Sequence, residues 1–100
     1  MTYYLVTQGW GPAYDPSRPR RAQDGFNEHA AFMDALAEQG TVLLGGPLGD
    51  DVDTGDALLV LFADDEAAVR AALAADPWLD DVLTIKSVQR WSLWLRSAAV

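Results

Sequence analysis

The sequence predicts an α+β fold of the ferredoxin-like type: a four-stranded antiparallel sheet with both helices on one face, in the order β-α-β-β-α-β. Three observations predict it. Short β-branched or aromatic runs alternate with longer helical patterns. Two of the strand runs, residues 41–44 and 57–62, follow one another with no helical pattern between them. Glycine or proline also punctuates most junctions. The plan is two strand-helix-strand units joined through a hairpin.

Tyr3-Tyr4-Leu5-Val6-Thr7 is the first strand, and Gly9, Gly11 and Pro12 are expected to end it. A proline-rich segment, residues 12–21, follows and holds Arg18, Arg20 and Arg21, three of the seven basic residues. These arginines either offset acidic neighbours or draw a carboxylate or phenolate toward a pocket mouth. The spacing then predicts a helix over about residues 21–39, closed by Gly40, which suits the left-handed residue that often follows a helix.

At about 100° per residue, Phe26, Ala30, Phe32, Met33, Leu36 and Ala37 share one apolar arc of that helix, while Gln23, Asp24, Asn27, Ala31, Asp34 and Glu38 take the wet side. His29 falls inside the apolar arc. Thr41-Val42-Leu43-Leu44 reads as the second strand, with Gly45-Gly46-Pro47 expected to stop it. An acidic loop leads to Ala57-Leu58-Leu59-Val60-Leu61-Phe62, an apolar run suited to a strand covered on both faces.

Asp64, Asp65 and Glu66 place negative charge where a helix N-terminus favours it, and residues 67–75 are strong helix formers anchored by Val69 and Leu73. Pro77 disfavours helical backbone at Asp76, so the second helix should end before Asp76-Pro77-Trp78. Residues 82–91 supply the fourth strand. Both helices then cover one face, and the other carries apolar side chains in a chain with four tryptophans. Packing against a second copy would bury it as a barrel-like homodimer. Trp91-Ser92-Leu93-Trp94-Leu95 either joins that interface or packs on its own domain.

One hundred residues, half of them apolar, suit a single domain over residues 1–100. The absence of cysteine removes disulfides, thiolate nucleophiles and thiolate metal sites. The longest strongly apolar stretch, residues 57–63, falls well short of the roughly 20 residues of a membrane helix. A cytoplasmic protein without a membrane partner is expected. The formal charge of -8 argues against nucleic acid, whose phosphates require clustered basic side chains.

Gly45-Gly46-Pro47-Leu48-Gly49 has no Lys-Ser or Lys-Thr after it, so it is not a phosphate loop. Asp50, Asp51, Asp53 and Asp56 mimic a calcium loop with its glycine one place early and Phe62 where glutamate belongs. With one histidine and no cysteine, neither metal nor cofactor is expected.

His29 is the one side chain whose ordinary titration falls near neutral pH. It is therefore the default acid or base if the protein moves protons. The helix pattern alone also fits a core histidine bonded to a carbonyl.

The inward His29 on the first helix, the Gly45-Gly46-Pro47-Leu48 turn closing strand two, Gly55 at the start of strand three and Asp76-Pro77-Trp78 after the second helix resemble, in order and spacing, the YCII-related family. The resemblance spans residues 3–91. It implies a dimeric α/β barrel whose pocket is lined by the histidine, the glycine-proline turn and the acidic residue of the Asp-Pro motif. It further implies a His29/Asp76 acid-base pair, with elimination chemistry on small ring compounds in some relatives.

The sequence departs from the family pattern in a long aromatic first loop, containing Trp10 and Tyr14, and in Trp78, where smaller rings are commoner. Substrate identity is therefore not inherited. Asp50 and Asp51 compete with Asp76 as the carboxylate partner of His29.

On this reading His29 is a general base and Asp76 orients it. Gly45, Gly46 and Pro47 border the substrate, with backbone N–H groups near the glycines holding an oxyanion, and Trp10 and Trp78 add aromatic surface. Two functional classes follow. One is a cofactor-independent lyase or isomerase acting on a small, cyclic molecule; a cofactor-free monooxygenase is its variant, suggested by Trp10, Tyr14 and Trp78. The other is a non-catalytic dimer that binds a small ligand or a partner.

Overall fold

The computed structural model describes residues 1–99. The elements run β1 (Thr2–Trp10), a 3-10 turn (Arg20–Ala22), α1 (Phe26–Glu38), β2 (Val42–Pro47), β3 (Ala57–Ala63), α2 (Glu66–Leu73) and β4 (Leu83–Trp91). The sheet order is β2-β3-β1-β4, and every neighbouring pair is antiparallel. This is the ferredoxin-like arrangement expected from the sequence.

Alternation along the strands assigns the two faces. Tyr4 and Val6 of β1 stand opposite Leu61 and Leu59 of β3. They pack in one buried cluster with Leu36 of α1 and with Val69 and Leu73 of α2. Both helices therefore lie on the same face. A second cluster of Trp78, Val82 and Leu83, with Trp10 and Phe26 against it, fills the end of the sheet beyond the helices.

The opposite face carries Tyr3, Leu5, Val60, Phe62 and Trp91. The chain beyond β4 passes beside it, where Tyr3, Leu44, Val60, Trp91, Leu93 and Leu95 border a groove of about 480 Å³. Arg96 Nη1 donates to the Tyr3 hydroxyl there. Trp94 and Leu95 remain exposed, at 92% and 90%.

Three boundaries differ from the sequence reading. β1 does not end at Gly9 but continues to Trp10, because a bulge at Thr7/Gln8 re-registers it against β4. α1 begins at Phe26, not near Arg21. Gly25 adopts a left-handed φ of 77° at its start, and Gln23 is pulled inward out of the expected wet face. The Gln23 side chain accepts from Asp15 N and donates to the carbonyls of Asp15 and Arg18, so it closes the preceding loop.

The third difference concerns Gly45-Gly46-Pro47, which does not stop β2. All three belong to the strand, paired with Leu59, Leu58 and Ala57. An edge strand tolerates proline, whose missing N–H can face away from the ladder. Among these residues Gly45 answers a steric need, since a Cβ there would come within 2.7 Å of Leu59 Cδ2, whereas a Cβ at Gly46 would meet nothing. α2 otherwise follows expectation: Asp65 caps it by accepting from Ala68 N at 2.8 Å.

Candidate active site

His29 sits on the first turn of α1, its N–H donating to Gly25 O at 3.0 Å. Asp76 comes from the other half of the chain, in the turn that ends α2, where its N–H donates to Leu73 O. Pro77 prevents the helix from continuing, and the Asp76 carboxylate folds forward to accept from the Trp78 backbone N–H at 2.9 Å.

The same carboxylate lies 2.8 and 3.0 Å from His29 Nδ1. Asp76 is buried, at 1% side-chain exposure, and His29 retains 14%. A carboxylate has only acceptors to offer, so Nδ1 carries the proton and donates. Nε2 of the neutral ring is then an unprotonated acceptor, with no hydrogen-bond partner among the described residues.

Trp78 completes the mounting. Its ring stacks on the His29 ring at 4.2 Å between centroids and 9° between planes. Its Nε1 donates to Asp24 O at 2.7 Å. Gly25 makes room for this ring, since a Cβ there would lie 3.3 Å from Trp78 Nε1. One side of the histidine is thereby fixed by a carboxylate and one face by an indole.

His29 opens onto a cavity of about 280 Å³ between α1 and the β2-β3 edge. Gly45, Gly46 and Pro47 line it together with His29. Met33, Val42, Leu59 and Leu83 give it apolar walls, and Gln8 and Arg20 add polar groups. Of the residues singled out from sequence, Trp10 and Trp78 do not line this cavity, and Asp76 stands behind His29. Asp50 and Asp51 lie on the exposed β2-β3 loop, where Asp51 accepts from Asp53 N.

Trp10 acts at one remove. It stacks on Tyr14 at 3.9 Å and 13°, and its Nε1 donates to Thr54 O at 3.0 Å. The Arg20 guanidinium lies over its ring at 4.3 Å. Arg20 also donates through Nε to Val52 O and through Nη2 to Gly55 O, both at 2.7 Å. Burial pushes the Arg20 guanidinium below its ordinary value, against the opposing pull of Asp53, Tyr14 and Asp56.

The other arginines of this segment behave differently. Arg18 bridges Asp15 and Asp24, and the hydrogen bond to Asp24 raises it above its ordinary value. Arg21 is exposed.

Sequence reading did not single out Gln8. The signal was present in β1, where Tyr4, Val6 and Gln8 share the inward side of an alternating strand. A polar residue at an inward position needs a partner or a cavity.

Comparison with known proteins comes from structure alone. No protein-family model matches the chain, and no curated protein matches it in sequence. Among solved structures, it is similar to 5-chloro-2-hydroxyhydroquinone dehydrochlorinase from Burkholderia phenoliruptrix, determined in complex with 2,5-dihydroxybenzoquinone. The TM-score is 0.64 at 21% identity, over 90% of this chain and 93% of the other. At that identity the likeness shows a shared fold.

Proposed function

We propose that this protein is a cofactor-independent enzyme that performs acid-base chemistry of the lyase or isomerase type on a small cyclic molecule. The observation that carries the reading is the His29–Asp76 pair, with Nδ1 held at 2.8 Å, Nε2 without a hydrogen-bond partner among the described residues, and the ring lining a cavity. A neutral imidazole oriented in this way is a competent base, and Asp76 stabilises the imidazolium it becomes.

In an elimination, Nε2 takes a proton from a ring carbon, the C–H electron pair becomes the new double bond, and the leaving group departs with its own pair. In an isomerisation the imidazolium returns the proton at a different carbon. An edge-strand amide at Gly45 or Gly46 would hold oxyanion character that develops on a ring oxygen. The similar dehydrochlorinase, with its ring ligand, supports a small-molecule enzyme of this kind.

We further read the chain as a single YCII-related domain that works in the cytoplasm as a homodimer. The open sheet face supports the dimer: Tyr3, Leu5, Val60 and Phe62 line it, and Leu44, Trp94 and Leu95 stand exposed at its margin. Among the described residues no helix is long and apolar enough to cross a membrane. A monomer in sedimentation at micromolar concentration would overturn the dimer.

The test of function is turnover across a panel of small hydroxylated and halogenated ring compounds, with the parent protein and His29→Gln compared. The variant should lose about 10²–10⁴-fold in rate. Turnover that survives the substitution would remove His29 from the chemistry.

A further inference from the structure

The cavity beside His29 contains two polar groups that the proton-transfer reading does not use. Gln8 is 2% exposed, lines the cavity, and its side-chain amide makes no hydrogen bond among the described residues. Such an amide inside a protein normally has a partner. Here the direction left to it is the cavity itself.

Arg20 is the second group. Ion pairs engage Arg18, Arg70 and Lys86. The Arg20 guanidinium instead donates to two backbone carbonyls, and Nη1 makes no hydrogen bond among the described residues. Its plane is fixed by those two bonds and by the Trp10 ring beneath it. That ring is in turn fixed by Tyr14 and Thr54 O. A charge oriented in advance loses little freedom when a ligand arrives. Burial already disfavours this cation, so an anion placed against it would recover interaction that solvent does not supply.

Resting on the proton-transfer reading for the role of His29, we propose that Arg20 and Gln8 are the specificity-determining pair of this cavity, and that its ligand is a small monocyclic monoanion whose charged oxygen, carboxylate or phenolate, is met by the guanidinium while the amide bonds a polar atom of the ligand. Size accommodates one ring: roughly 150 Å³ holds benzene, and about 280 Å³ leaves room for substituents. Charge supports a single negative centre. Arg20 is the one cationic side chain among the described residues that line the cavity, and Asp34 stands at the same wall. The net charge of -8 repels multiply charged anions.

The test is a binding titration followed by two-dimensional NMR, using benzoate, 4-nitrophenolate and the neutral benzamide as probes. At least one anion should bind about tenfold or more tightly than benzamide, shifting the Arg20 Nε–H and Gln8 side-chain amide signals. Benzoate alone would identify the carboxylate source, and 4-nitrophenolate alone the phenolate. Arg20→Gln and Gln8→Glu should each abolish the preference for the anion over benzamide. The second variant leaves every loop contact of Arg20 in place.

Equal binding of all three probes, no binding of any, shifts confined to the open sheet face, or a preference that survives Gln8→Glu would each overturn the proposal. His29→Gln should retain the anion preference. Binding is read without turnover, so a failure of the acid-base reading and a failure of this one give different results.

Discussion

The rings of His29 and Trp78 lie face to face, 4.2 Å apart and 9° from parallel, although they belong to different halves of the chain. Asp76 joins them on a second side, accepting from the His29 ring and from the Trp78 backbone N–H through the same oxygen, Oδ1. The aromatic residue of the Asp-Pro turn thus serves to mount the histidine and does not line the cavity.

Replacing Trp78 separates its two contributions. Trp78→Phe keeps a ring against His29 but loses the donor to Asp24 O, and should cost about 0.5–1.5 kcal/mol. Trp78→Ala also empties a fully buried site and should cost roughly 3–5 kcal/mol. Urea denaturation measures both: equal losses would show that the buried ring contributes nothing beyond its N–H, and a Trp78→Phe variant as stable as the parent would show that the indole N–H contributes nothing.

The tautomer of His29 is open to direct measurement. The neutral ring should carry its proton on Nδ1, visible in two-bond ¹H–¹⁵N spectra. In Asp76→Asn the new amide oxygen can keep the Trp78 N–H, which turns the NH₂ toward Nδ1 and moves the ring proton to Nε2. A base with its reacting nitrogen already protonated should lose up to about 10⁴-fold in turnover. An unchanged ring signal would show that Asp76 does not choose the tautomer.

The two strand glycines should respond unequally. Gly45→Ala drives a methyl group against Leu59 Cδ2, and overpacking of that kind costs about 1–3 kcal/mol. Gly46→Ala meets open space and should stay within about 0.5 kcal/mol of the parent. Equal stabilities in urea would mean that Leu59 moves aside freely.

Ser17 offers a pH-dependent test. Hydrogen bonds from its hydroxyl and its backbone N–H hold the Asp15 carboxyl below its ordinary value. A carboxyl lowered in the folded state stabilises above its unfolded titration range, and that contribution disappears as pH falls through the folded value. Ser17→Ala should therefore be slightly less stable than the parent near neutral pH and equal to it in acid. A difference that persists in strong acid would assign the effect to something other than Asp15.

The order of elements was legible because each depends on near neighbours. The alternation of β1, the apolar run of β3, the Asp65 cap and the stop at Pro77 act within a few residues of themselves. The start of α1 was not legible, since it depends on Gln23 closing a loop onto Asp15 and Arg18. Gly45-Gly46-Pro47 read as a stop because glycine and proline are turn residues locally; pairing with Leu59, Leu58 and Ala57 draws them into an edge strand.

The sequence by itself determined that this chain has one histidine, set on the inward arc of its first helix, and an Asp-Pro turn after its second. Which carboxylate meets that histidine was a tertiary decision: Asp76 lies 47 residues away, and only the sheet order β2-β3-β1-β4 brings the start of α1 against the end of α2. The joint placement of Gln8, Arg20 and Gly45 around one cavity was decided the same way. Local patterning reports what a backbone segment prefers within a turn or a strand. A site assembled from four strands, a helix and two turns depends on distances that no single segment contains.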